Sequence, residues 1–180
     1  MSTLHVENLK GLTSGGNANK IIVPSGQELH APGHVVQVVS SGAFTSTVTA
    51  SSTSFTATGH SVSITTKTTN SNILVQLAGG GWYDNGNGSH AQWLTFYRSV
   101  SGGSYAALTG VDATYGLQRM SGDGGSWNIK PHSAQYLDAT NQSSGTLITY
   151  QVYVRINSNS SQYNHSDRGT PVLTAMEIAQ

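Results

Sequence analysis

Residues 146–156, with the sequence TLITYQVYVRI, decide the fold class of this chain. Large apolar side chains occupy every second position from Ile148 to Ile156. The positions between them carry Thr149, Gln151, Tyr153 and Arg155. Successive side chains of a strand point to opposite faces of its sheet, so the alternation predicts a half-buried antiparallel strand.

Working outward from this stretch, the same two-residue period recurs along the chain. It predicts strands at His34–Val39, Phe44–Ala50, Ser61–Thr65, Ile73–Leu77, Ala91–Arg98 and Pro171–Ile178. Weaker strands are predicted near Ser54–Ala57, Tyr115–Met120, Ser126–Ile129 and Gln135–Leu137. Turn-forming segments separate the runs, among them Gly79–Gly81 and Asp84–Ser89, and no segment has helical spacing. We therefore expect an all-β fold, an antiparallel β-sandwich of jelly-roll type, with its body at residues 33–180.

The charge content is unusually low. Charged residues make up 9 % of the 180, against roughly 25 % in ordinary soluble proteins. Eight basic residues balance eight acidic ones. A neutral surface favours association between molecules. It lacks the basic patch that nucleic acid or anionic lipid would require, so neither is expected as a partner.

Several classes of site and segment are excluded by residue content. Cysteine is absent, which excludes disulfides, thiolate metal sites and thiol catalysis. The chain has no run of about 18 apolar residues, so no membrane-spanning helix and no membrane insertion is expected. Met1–Lys10 lacks the basic and apolar blocks of a secretory signal peptide.

Residues 1–32 differ from the body because they are too short to enclose a core of their own. Their apolar residues therefore have to pack on the body, on another copy or on a partner. We interpret the segment as an assembly arm, and the candidate assembly residues are Leu4, Val6, Ile21, Ile22 and Val23. The alternative is an unattached tail, which the apolar run Ile21–Val23 disfavours.

Short phrases in the first 78 residues resemble those of marine and cyanobacterial bacteriophage virion proteins, both tail-fibre and capsid-decorating. The phrases are MSTLHV at 1–6, KIIVPSGQEL at 20–29, APGHVVQVV at 31–39, SFTAT at 54–58, SVSIT at 61–65 and NILV at 72–75. A looser match covers Val172–Ile178, and residues 79–145 match no phrase. The resemblance implies a component of the virion exterior, made in the host bacterial cytoplasm, that forms homotrimers and contacts other virion proteins.

No catalytic, cofactor-binding or metal-binding residues are predicted. His30 and His34 have the spacing of a helical metal pair, but Pro32 and Gly33 lie between them and make a helix improbable. The loop that begins at Asp84 has glycine at the third and fifth positions of a calcium loop, where oxygen ligands are needed. The carboxylates are scattered along the chain, so hydrolysis ranks last among the functions considered.

Loop aromatics flanked by polar residues form a candidate surface-binding set. An aromatic ring covers the apolar face of a sugar while neighbouring polar groups bind its hydroxyls. The residues of this set are Trp82, Tyr83, Asp84, Asn85, Asn87, Trp127 and Tyr163. For Trp82 and Trp127 the alternative is a place in the core or a subunit interface, which is favoured because large aromatics usually bury.

Together these features predict a non-enzymatic structural protein of a bacteriophage virion. The first expectation is a tail-fibre or tail-associated subunit whose loops face the host surface, with a host glycan as a further partner. An alternative is a capsid decoration, cement or head-fibre protein, which the absence of a long shaft favours. A carbohydrate-binding, lectin-like module is the next alternative.

Overall fold

The computed structural model describes residues 10–11, 13–16, 18, 20, 31–84, 90–122, 128–164 and 169–180. The chain divides into two compact units, Met1–Ala31 and Pro32–Gln180. The predicted assembly residues Leu4, Val6, Ile21, Ile22 and Val23 lie outside the described residues, so the arm stays a prediction. The unit Pro32–Gln180 is called the body below.

The body is built from strands joined by turns, and no helix occurs in its described residues. The eight strands that make up most of the two sheets are β1 (Val35–Ala43), β3 (Thr56–Thr65), β4 (Asn72–Asp84), β5 (Ala91–Val100), β7 (Gln118–Ser121), β8 (Asn128–Ala139), β9 (Leu147–Ile156) and β11 (Val172–Ile178). Three two-residue strands complete them: β2 (Thr49–Ala50), β6 (Ala106–Ala107) and β10 (Ser161–Gln162).

All strand pairs are antiparallel and the strands form two sheets. Sheet A has the order β1-β11-β4-β8, and β10 and β2 extend it beside the end of β4. Sheet B has the order β3-β9-β5, followed by β6 and β7 on the far side of β5. The prediction of an all-β, two-sheet antiparallel sandwich is confirmed.

The pairing of the eight longer strands is nested along the chain. The first pairs with the last (β1 with β11), the second with the seventh (β3 with β9) and the third with the sixth (β4 with β8). The fourth pairs with its neighbour, β5 with β7. Two further pairings, β11 with β4 and β9 with β5, close the sheets. Each of these pairings therefore joins strands that are far apart in sequence; even the nearest pair, Leu94 with Gln118, is separated by 24 positions.

The core lies between the sheets and is made by the alternation seen in the sequence. Sheet B contributes every second residue from Ile148 to Ile156, each 2 % exposed or less. Sheet A contributes Ile73, Val75 and Leu77 from β4, together with Leu173 and Ala175 from β11. Burial of each valine, leucine or isoleucine side chain in this set contributes about 1.5–3 kcal/mol.

The glycines at residues 79–81 do not form the predicted loop, because β4 continues through them to Asp84. A bulge lies between Gly79 and Gly81 in the register with β8. Gly79 and Gly80 have φ values of +84° and +63°, which L side chains rarely adopt. A Cβ on Gly80 would also lie 2.6 Å from the Pro171 ring. The bulge adds one residue, so the inward face changes from odd to even positions beyond it.

Three further predicted elements have different bounds in the structure. Ile129 from the first predicted weak strand and the whole of the second, Gln135–Leu137, belong to one long strand, β8, which passes through Pro131. Ser126 and Trp127 of the first weak strand lie outside the described residues. Proline is tolerated there because β8 pairs with β4 only and forms an edge of sheet A. The predicted strand Phe44–Ala50 shrinks to Thr49–Ala50. Phe44 itself packs against the core, which explains its apolar character.

Candidate functional site

The bulge in β4 moves two of the predicted surface-binding residues into the interior. Trp82 and Asp84 follow the bulge, so they take the inward positions and are 0 % exposed. Tyr163 is also 0 % exposed and lies in the core cluster. These three side chains do not face solvent, and the surface-binding interpretation is wrong for them. The core alternative is correct for Trp82.

Tyr83 is the one predicted surface residue that the described part of the chain leaves partly exposed. It lines a shallow cavity of about 220 Å³ with Thr49, Ser160, Ser161 and Gln162. Asn85, Asn87 and Trp127 lie outside the described residues, so their role as binding residues stays a prediction. The predicted set is therefore not brought together as one site within the described residues.

A buried chain of hydrogen bonds links Ser41, His60 and Tyr163. Ser41 Oγ lies 2.9 Å from His60 Nε2, and His60 Nδ1 lies 2.7 Å from the Tyr163 hydroxyl. A serine next to a histidine is a possible nucleophile and base. Here the Ser41 hydroxyl also accepts the Leu173 amide N–H at 3.1 Å, and His60 is 1 % exposed. These hydrogen bonds connect β1, which carries Ser41, to β3, which carries His60, and to the segment after β10, which carries Tyr163.

His132 of β8 packs on the same tyrosine. Its ring stacks on Tyr163 with centroids 4.7 Å apart, and its Nε2 hydrogen-bonds the Tyr163 carbonyl oxygen. Burial lowers the pKa of His60 to about 4, and the neighbouring His132 contributes to this. Burial also lowers the pKa of His132 to about 4, against the opposing effect of its hydrogen bond. Both imidazoles are therefore neutral near pH 7.

An ion pair bridges the two sheets at another point. Arg98 of β5 donates to both carboxylate oxygens of Asp138 on β8, at 3.0 and 2.8 Å. The Tyr150 hydroxyl donates to the same carboxylate at 2.6 Å. Burial, followed by the Asp138 charge, raises the pKa of Tyr150, so it stays protonated. Arg98 and Asp138 line an open cavity of about 300 Å³ together with Tyr136 and Leu137.

The outward face of sheet A carries no charged residue in the strands that the structure describes. Four apolar side chains, one from each strand, form a row across it: Val38, Met176, Leu74 and Leu137 are successive partners in the register. The next row, Ser40, Thr174, Gln76 and Gln135, is polar and neutral. Val38 is 58 % exposed and Leu137 is 51 % exposed. These two rows are called the uncharged face.

The outward face of sheet B is instead rich in aromatic rings. Tyr97 of β5 and Tyr153 of β9 stack with centroids 3.9 Å apart and planes inclined by 16°. Tyr105 lies against Tyr153, and Phe55 against Tyr97, at 6.1 and 6.4 Å. We call the full set the aromatic platform; it consists of Phe55, Trp93, Tyr97, Tyr105, Tyr115 and Tyr153, with Arg119 and Arg155.

Trp93 anchors the other end of this platform. The Arg155 guanidinium lies 4.5 Å from its ring centroid, and that of Arg119 lies 5.7 Å away. Tyr115 packs beside the same ring at 6.3 Å and is itself 59 % exposed. Cation–π contacts of this kind contribute about 0.5–1 kcal/mol at exposed sites. The result is an ordered surface with rings, phenol hydroxyls and guanidinium groups on one face.

Of the aromatic platform, Tyr105 and Tyr115 lie near loops that the sequence marks as candidates for a binding surface. The strand residues of the platform were not predicted to bind, although part of their signal is in the sequence. The alternation in residues 146–156 already places Tyr153 and Arg155 on the polar side of β9. Trp93 and Tyr97 share one face of β5 by the same rule. An aromatic residue on the solvent side of a strand is therefore the feature that identifies this site.

Comparison with known proteins gave no relative: no family model, no curated protein and no solved structure matches the chain. Among the described residues, no three histidine or carboxylate side chains lie together as a set of metal ligands. The described part of the chain also contains no helix long and apolar enough to span a membrane.

Proposed function

We propose that this protein is a non-enzymatic structural component of a bacteriophage virion, a tail-fibre or tail-associated subunit that assembles as a homotrimer. The proposal rests on two independent features. One is the resemblance of residues 1–78 to virion proteins, which concerns the sequence alone. The other is the uncharged face of sheet A, which is suited to contact another copy of the chain.

The uncharged face is the observation that carries the assembly part of the proposal. Its apolar row crosses all four strands, and its members Val38 and Leu137 are more than half exposed. Contiguous exposed apolar surface of this kind is typical of interaction sites. Because neither row contains a formal charge, two copies that meet here experience no charge repulsion. A second copy of the same chain is therefore the occupant that we propose.

The order of the strands supports the choice of a jelly-roll class. Eight strands with nested pairing, four in each sheet, are what results when a long antiparallel hairpin is rolled into a sandwich. Jelly rolls of eight strands recur in viral capsid and lectin domains. Since one fold serves many functions, this order supports the architecture and does not by itself select the virion role.

The trimer can be tested with charge substitutions on the uncharged face. Light scattering on the purified chain should give a mass of about three chains of 18.9 kDa. The double variant Val38→Glu/Leu137→Glu should be a monomer, because desolvating a carboxylate in an interface costs several kcal/mol. The matched control is Leu147→Glu, which changes a residue 43 % exposed on β9 of sheet B.

Two results would contradict this part of the proposal. One is a wild-type chain that remains a monomer at micromolar concentration. The other is a double variant that keeps the wild-type mass. Circular dichroism of the double variant checks that the fold is retained, and retention is expected because both side chains are already largely exposed.

The virion role requires a separate experiment on particles. Purified phage that encodes the chain should retain it after density-gradient centrifugation, and gold-labelled antibody should mark the tail in electron micrographs. Label on the head would instead support the decoration alternative. Absence of the chain from purified particles would refute the virion role altogether.

A further inference from the structure

The aromatic platform groups hydrogen-bonding side chains in a way that the packing of its rings alone does not require. Tyr97, Tyr105 and Tyr153 lie together and all three keep part of their rings in solvent. Their hydroxyls donate to and accept from no other described residue. The Tyr97 and Tyr105 rings lie 3.9 and 6.1 Å from the Tyr153 ring, centroid to centroid, so the three phenol groups are close together. Three hydrogen-bonding groups are thus grouped at one place on the surface.

Tyr115 supplies the open ring of the platform. It is held in place by its own turn, since the amides of Thr114 and Tyr115 both donate to the Asp112 carboxylate, at 2.7 and 2.6 Å. The next residues fix the turn to sheet B, because the Leu117 amide donates to the Leu94 carbonyl oxygen at 2.8 Å. A large ring that is 59 % exposed and held by these bonds is preorganised for contact with a ligand.

The arginines add donors to the Trp93 end. No carboxylate lies within ion-pair distance of Arg119 or Arg155 in the part of the chain that the structure describes, where the Arg98–Asp138 pair is the salt bridge found. Arg155 also donates to the Thr53 carbonyl oxygen at 3.0 Å, so its guanidinium is fixed. Trp93 and Tyr97 are four residues apart on β5, which separates the two ends of the platform by roughly 14 Å.

From this arrangement we infer that the aromatic platform binds a carbohydrate chain. One sugar ring lies with its apolar C–H face on Tyr115, and hydroxyls of the chain bind the arginines and the three clustered phenols. The span between the two ends fits an extended chain better than a single sugar. That this carbohydrate is a polysaccharide of the host cell surface rests on the proposed function. That the platform binds a carbohydrate rests on its geometry alone.

Single-stranded nucleic acid is the rival ligand, since bases also stack on aromatic rings. It is disfavoured because the stack of Tyr97 on Tyr153 covers one face of each ring, which leaves less ring surface for bases. The chain also has a net charge of zero, whereas nucleic-acid binding draws most of its affinity from basic residues.

The test uses the purified full chain on an array printed with bacterial lipopolysaccharides and capsular polysaccharides, with a thymidine oligonucleotide as a further probe. The wild type should bind at least one polysaccharide. Tyr115→Ala should lower that affinity about tenfold, the loss of one stacking contact. Tyr97→Phe/Tyr153→Phe keeps the stacked rings and removes two hydroxyls, and it should also weaken binding. Leu147→Ala, on β9 but roughly 20 Å from Tyr153, should bind as the wild type does.

Three results would overturn the inference: no polysaccharide bound by the wild type, binding that is unchanged in both tyrosine variants, or tighter binding of the oligonucleotide. The proposed function fails independently of these outcomes. A chain that binds polysaccharide but is absent from phage particles would refute the virion role alone. A chain that is present on particles but binds no polysaccharide on the array would refute only the carbohydrate site.

Discussion

Acidification should destabilise this protein through the two buried histidines, His60 and His132. Both have a pKa of about 4 in the folded chain, against 6.5 when unperturbed. Below pH 6.5 the unfolded chain binds protons at these positions while the folded chain does not. A base with a lower pKa in the folded chain than in the unfolded chain destabilises the fold at low pH. The free energy of unfolding therefore has its full value above pH 6.5 and decreases progressively as the pH falls towards 4.

The magnitude follows from the two pKa values. At pH 5 a histidine with a pKa of 6.5 unfolded and about 4 folded costs about 2 kcal/mol of stability, and at pH 4 about 3 kcal/mol. Both side chains are 1 % exposed, so solvent screening does little to reduce the effect. Together they should remove about 4 kcal/mol at pH 5, close to the total stability of a marginal domain, about 5 kcal/mol.

Urea unfolding between pH 7.5 and pH 5.0 measures this loss directly. The range ends at pH 5.0 because Glu177 adds its own acid sensitivity lower down. His60→Gln and His132→Gln should each halve the pH dependence, and the double variant should remove it. A wild-type free energy of unfolding that is equal at pH 7.5 and pH 5.0 would refute the reasoning. So would an NMR titration that places either folded-state pKa near 6.5, a measurement that needs no variant.

Two further predictions concern stability. Glu177 is 0 % exposed and accepts hydrogen bonds from the Lys67 and Thr68 amides at 2.9 Å each. Burial by itself would raise the pKa of Glu177, but these and other hydrogen bonds hold that pKa below its usual value. Glu177→Gln should therefore lower the free energy of unfolding by about 3 kcal/mol in urea at pH 7, and a loss below about 1 kcal/mol would contradict this role. Gly80→Ala should cost about 2–3 kcal/mol by the same assay, from its left-handed φ and the Pro171 ring. Gly59→Ala, with φ +81° but no atom within 4 Å, should cost only about 1 kcal/mol, and equal losses would show that the contact with Pro171 is unimportant.

The fold class could be predicted because it depends on a local pattern. In residues 146–156 the inward residues are all large and apolar, so the strand and its buried face follow from the sequence alone. The same rule failed beyond Gly79, where a bulge shifts the inward face by one residue. From the sequence alone, the glycines at residues 79–81 predict a turn. In the structure they belong to a strand because Gly79 pairs with His132 and Gly81 with Pro131, residues of β8 that lie far along the chain.

The site was harder to predict because it depends on register. The outward positions of Tyr97 and Tyr153 could be assigned from alternation, but their stacking requires that Thr95 pairs with Tyr153 and Tyr97 with Gln151. Nothing local fixes a pairing between residues 56 positions apart, so the two rings could not be placed together from the sequence. The apolar row of the uncharged face has the same origin, since it joins residues from four strands.

The two surfaces lie on opposite sheets of one sandwich, and this placement allows both to be used at once. Packed sheets are about 10 Å apart and each outward face points away from the other. A copy that covers Val38 and Leu137 on sheet A therefore leaves Tyr115 and Tyr153 on sheet B open to a ligand. In a homotrimer the platform would be present three times, and a polysaccharide with repeated units could engage more than one copy. Because linked sites raise apparent affinity without new contacts, the monomeric variant Val38→Glu/Leu137→Glu should keep its affinity for each site but bind the polysaccharide array more weakly.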